Sequence, residues 1–88
     1  MVAVGLDHST RTLYVGGLPP DMNSGDLGTL FRRFGDLLAA RVVMRPSSNT
    51  CRGFGYVTFV SEAAARLAKQ ALDGFVIGDS RLRVAEAT

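Results

Sequence analysis

The chain has 88 residues, 47% hydrophobic and 20% charged, and ten basic residues against eight acidic ones leave a net charge of +2. That length suits one domain, and that balance is too apolar for a disordered chain and too polar for a membrane protein. The net charge says little about partners, but nine of the ten basic residues are arginine, which both forks onto phosphate and stacks on bases.

Met1 to Thr10 has no clear period and reads as a flexible arm. Thr12-Leu13-Tyr14-Val15 alternates as a strand does, with Leu13 and Val15 on one face and Tyr14 on the other. Gly16 to Pro20 ends it, because proline cannot continue a ladder. Asn23 or Ser24 can cap a helix, with Asp26 near its positive end. Leu27, Leu30, Phe31 and Phe34 then recur at helical spacing, and Gly35 is expected to close the helix in a left-handed conformation. Gly25 and Gly28 weaken this helix.

Leu37 to Met44 reads as a second strand, with Leu38 outside its regular part. Ala40 and Val42 are predicted inward, Arg41 and Val43 outward. Arg45 to Cys51 is a polar loop, and Cys51 reads as an ordinary loop thiol. Phe54 to Val60 forms the third strand, with Gly55, Val57 and Phe59 on one face and Phe54, Tyr56 and Thr58 on the other. Ser61 caps a second helix whose apolar stripe is Ala64, Ala65, Ala68, Ala71 and Leu72. Phe75 to Ile77 reads as a short extra strand before a Gly78-Asp79-Ser80 turn. Arg81 to Ala85 alternates again, with Leu82 and Val84 inward and Arg81 and Arg83 outward.

The order is therefore βαββαβ: an α+β, ferredoxin-like sandwich in which a four-stranded antiparallel sheet carries two helices on one face. No apolar run approaches the ~18 residues of a membrane span. The first ten residues lack a basic stretch followed by an apolar one, so an intracellular location, nucleus or cytoplasm, is expected. Cys51 and His8 are the only cysteine and the only histidine, so no disulfide, metal site or cofactor is expected.

A half-covered sheet should show water its polar side chains. Here the uncovered face is predicted to carry Tyr14, Phe54 and Tyr56, with Arg41, Arg52, Arg81 and Arg83 on or beside it and Arg45 in the adjoining loop. Cross-strand packing explains any one exposed aromatic. Three together within a cationic rim instead fit unstacked bases and their phosphates, which favours single-stranded nucleic acid over a duplex.

Arg52-Gly53-Phe54-Gly55-Tyr56-Val57-Thr58-Phe59 matches every fixed position of the ribonucleoprotein octamer, and Leu13-Tyr14-Val15-Gly16-Gly17-Leu18 resembles its six-residue partner, with Gly17 where asparagine is commoner. On these residues the chain resembles the RNA-recognition motif family over about residues 11–86, leaving 1–10 as the arm and 87–88 as the C-terminal end. The resemblance implies that Tyr14 and Phe54 each stack a base, that Tyr56 inserts against sugar or a neighbouring base, and that Arg52 binds phosphate. Val57 and Phe59 match core positions. Lys69 falls where the family often has an apolar residue, so that edge of the core is expected to pack loosely.

The expected function is non-catalytic binding of single-stranded RNA, in mRNA processing or post-transcriptional regulation, by a monomer that also takes single-stranded DNA in vitro. The alternative is a protein-interaction domain of the same fold, or dual use with a protein partner on the helical face. An enzyme is not expected: the folded part offers no histidine, no Cys–His pair and no phosphate-cradling glycine loop.

Overall fold

The computed structural model describes residues 10–87; most of the predicted arm, including His8, and the final Thr88 lie outside them. Strand β1 (Thr12–Gly16) buries Leu13 and Val15, as its alternation requires. Helix α1 (Ser24–Arg32) starts at Asn23, whose side chain accepts from the Asp26 amide at 2.8 Å. The Asp26 carboxylate in turn accepts from the Asn23 amide at 3.3 Å, so two otherwise orphaned donors are satisfied reciprocally. Ser24, the other candidate cap, serves the sheet: its Oγ accepts from the Val42 amide at 2.9 Å.

Gly35 does not close the helix in a left-handed conformation. The cap residue is Arg33, right-handed at φ −64°, and Gly35 follows at φ +154°. A Cβ there would lie 2.7 Å from the Ala64 Cβ, so glycine is needed for the close approach of α2.

Strands β2 (Leu37–Met44) and β3 (Cys51–Phe59) pair antiparallel, with a register shift between Leu37 and Ala39 that leaves Leu38 exposed, as predicted. β3 begins at Cys51, three residues earlier than predicted, and ends before Val60. Cys51 is accordingly a buried strand residue and not a loop thiol. Its amide donates to Pro20 O at 2.9 Å and its Sγ to Pro19 O at 3.1 Å, while Leu18 N donates to Gly53 O at 2.9 Å. These bonds carry the β1–β3 pairing past Gly16 into the proline loop, which is why the strand starts early.

Helix α2 (Glu62–Leu72), capped by Ser61, buries Ala64, Ala65, Ala68 and Leu72. Ala71, expected in the same stripe, is exposed: it lies off the centre of the contact arc. Beyond Gly74, at φ +88°, β4 (Val76–Ile77) and β5 (Ser80–Arg81) form a separate small hairpin. The last strand of the main sheet, β6 (Arg83–Glu86), is therefore shorter than predicted. Arg81 leaves it because Leu82 turns back: Leu82 N donates to Phe75 O at 2.8 Å and Leu82 O accepts from Gly74 N at 2.7 Å.

The main sheet runs β2-β3-β1-β6, and both helices cover one face of it, giving the expected ferredoxin-like α+β sandwich. Phe31 of α1 meets Phe59 of β3 with ring centroids 6.4 Å apart, at the centre of a core that includes Leu13, Val15, Leu27, Val57 and Leu82. Half-buried Lys69 borders a small recess with Thr10, Leu13 and Ala65, the edge expected to pack loosely.

Candidate nucleic-acid interface

Strand register assembles the uncovered face. Tyr14 stands opposite Tyr56 across β1 and β3, and Gly16 opposite Phe54. On the outer strands, Arg41 stands opposite Tyr56, Ala85 opposite Tyr14, and Arg83 opposite Gly16. Two rows result: Arg41–Tyr56–Tyr14–Ala85, and beside it Phe54–Gly16–Arg83.

The three predicted aromatics meet. Ring centroids are 5.9 Å apart for Tyr14 and Phe54 (31° between planes), 6.0 Å for Tyr14 and Tyr56 (66°), and 6.3 Å for Phe54 and Tyr56 (90°). Tyr56 is 41% exposed, while Tyr14 and Phe54 are half-buried. The Tyr14 ring leans over its neighbour on the same strand face: a Cβ on Gly16 would lie 2.7 Å from Tyr14 Oη. Gly16 escaped the sequence reading as a site residue, although counting two along from Tyr14 finds it.

The arginines divide. Arg41 and Val43 join Ala39, Tyr56 and Thr58 around a shallow groove on the β2 side. Arg52 is exposed near the start of β3, held between the anchored Cys51 and Gly53, the latter at φ +92°. Arg45 is exposed in a loop closed by its own amide donating to Thr50 O at 3.0 Å. Arg83 lies across Gly16 from Phe54. Arg81, predicted beside it, sits on the small hairpin, and its Nη1 donates to Gly74 O at 3.2 Å. It is not part of the sheet face.

Among the described residues the ion pair present is Arg66–Glu62, exposed on α2, so Arg41, Arg45, Arg52 and Arg83 have no carboxylate within 4.0 Å. Glu86 on β6 pairs in register with inward-facing Leu13 and shares the recess of Glu62 and Lys69 beside α2. Asp73 caps the C-terminal end of α2. It borders a groove with Tyr14, Gly16, Gly17 and Arg83, its Oδ1 accepting from the Val84 amide at 3.0 Å.

Residues 13–83 match the RNA recognition motif family. The chain belongs to that family. RNA recognition motifs are non-catalytic RNA-binding domains, and this one shares 39% identity over 66 residues with glycine-rich RNA-binding protein 3, mitochondrial, of Arabidopsis thaliana, covering 75% of the chain and 21% of the relative. It shares 37% over 79 residues with polyadenylate-binding protein 5 of the same plant, covering 90% and 11%. The chain thus spans a small part of the relatives it matches. Among solved structures, the Drosophila melanogaster Sex-lethal RNA recognition domains 1 and 2 superpose with a TM-score of 0.84 at 31% identity, covering 89% of this motif and 50% of that chain. A Sex-lethal protein–RNA complex matches at 0.83 and 31%, covering 89% and 47%. Among the described residues, no helix is long and apolar enough to cross a membrane.

Proposed function

We propose that the chain binds single-stranded RNA on the open sheet face by stacking bases on Tyr14 and Tyr56. The observation that carries this reading is the three-ring cluster of Tyr14, Phe54 and Tyr56 on a face that neither α1 nor α2 covers. Their exposures favour a division of labour different from the one the resemblance implied. Tyr56, the most exposed of the three, offers the fullest ring face and is the better base platform. Phe54, half-buried with its plane perpendicular to Tyr56, suits the sugar between two stacked nucleotides. Arg52, Arg41, Arg45 and Arg83 form the cationic rim, and Val43 supplies apolar contact beside Tyr56. Arg81 has no part in this arrangement.

Stacking contributes roughly 1–3 kcal/mol per base, so two or three bases on one domain give about micromolar affinity for a site of roughly three to four nucleotides. The domain acts as a monomer inside the cell, in nucleus or cytoplasm, in mRNA processing or post-transcriptional regulation; similarity to a polyadenylate-binding protein supports that pathway. Single-stranded DNA offers the same base faces and binds in vitro.

Fluorescence anisotropy with a labelled single-stranded RNA pool, competed by the same RNA as a duplex, tests the proposal. Competition by unlabelled single strands and none by the duplex is the expected result. Equal competition by both contradicts base stacking.

A further inference from the structure

The two ends of the aromatic face differ. On the β2 side the groove is bordered by Ala39, Val43 and Thr58 with Arg41. On the β6 side it is bordered by Gly16 and Gly17, which have no side chains, by Tyr14, and by two opposite charges, Arg83 and Asp73. Those two charges share the groove without forming an ion pair. Asp73 is fixed at its rim by the bond from the Val84 amide, 3.0 Å long. Arg83 is the direct cross-strand neighbour of Gly16, and the Tyr14 ring leans over that same glycine. With nothing but hydrogen at position 16, no side chain separates a base lying on Tyr14 from the Arg83 guanidinium.

We propose that this groove selects guanine: the base stacked on Tyr14 presents O6 and N7 to the fork of Arg83. The inference rests on the stacking role of Tyr14 and adds the identity of the base. Three arguments favour guanine at this end of the face. A guanidinium donates through two parallel N–H groups, and in an unpaired strand two bases place two acceptors side by side, guanine with O6 and N7 and cytosine with N3 and O2. Adenine sets an N6 donor beside N7 and uracil an N3–H beside each carbonyl, which opposes an arginine; between guanine and cytosine, the purine gives Tyr14 the larger stacking face. The neighbouring carboxylate of Asp73 repels a phosphate but accepts from a base that carries N–H donors, so the charge pattern suits a base edge better than backbone. Arg41 on β2 and Arg45 in the loop after it lie away from β6, Arg52 stands two residues before Phe54 on β3, and these three serve the phosphates.

The test uses short oligouridines, each carrying one guanosine, adenosine or cytidine, with affinity measured by anisotropy for the wild type and for Arg83→Ala and Arg83→Lys. The expected result is at least about fivefold tighter binding of the guanosine oligomer. In both variants the guanosine oligomer should fall to the affinity of its uridine parent, because lysine keeps the charge but not the fork. Absence of a guanosine preference in the wild type overturns the proposal. So does an equal loss for all four nucleotides in Arg83→Ala, which would make Arg83 a phosphate contact. Either outcome leaves the stacking role standing if oligouridine still shifts the Tyr14 and Tyr56 amide resonances; if no oligomer binds at all, both readings fail.

Discussion

Tyr14 and Tyr56 face one another directly across β1 and β3, with ring centroids 6.0 Å apart and planes crossing at 66°. They are the middle pair of a row that Arg41 begins and Ala85 ends. An aromatic pair on a sheet face stabilises the fold modestly, by up to about 1 kcal/mol, so its loss should register in binding more than in folding.

Tyr56→Ala is expected to weaken RNA binding by about 1–3 kcal/mol, with an unfolding midpoint close to wild type. Phe54→Ala should weaken binding too, but by less, since its ring is less exposed. Isothermal titration with one RNA, alongside urea unfolding of each variant, checks both the size and the order of the effects.

Phe59→Ala should do the reverse. Its ring is fully buried against Phe31, and truncation leaves a cavity under the sheet that costs about 3–5 kcal/mol. Urea denaturation reads this directly.

Arg52→Ala is expected to change the salt dependence as well as the affinity. If Arg52 neutralises one phosphate, the slope of log K against log salt should become shallower by about 0.7. Titrations across a range of chloride concentrations measure it.

Two glycines should respond oppositely to alanine. A Cβ at Gly28 would meet Ala40 and Arg32 at 3.6 Å, an ordinary contact, so Gly28→Ala should stabilise α1 by up to about 1 kcal/mol. A Cβ at Gly55 would lie 2.4 Å from Arg41 O, so Gly55→Ala should force β2 away from β3 and destabilise the domain. Thermal unfolding of the two variants should move the midpoint in opposite directions.

The aromatic platform was legible in the sequence because period-two alternation decides which face a strand residue takes, and Tyr14, Phe54 and Tyr56 all lie in regular strand. The same rule found the core positions Leu13, Val15, Val57 and Phe59. What escaped depended on partners remote in sequence. Cys51 became a strand residue through bonds to Pro19 and Pro20, more than thirty residues away. Arg81 alternates correctly with Arg83, yet the turn at Leu82 moves it to another sheet, and no local pattern encodes that turn. Asp73 reads as a helix terminator, and its place beside Arg83 follows from the bond to Val84 on the edge strand.

The most direct measurement of the central claim is a backbone-amide NMR titration with short random single-stranded RNAs at low salt. Shifts concentrated on β1 and β3, around Tyr14 and from Arg52 to Tyr56, are the predicted result. Silence at those amides in a folded sample would contradict it and assign the aromatic face to a different partner.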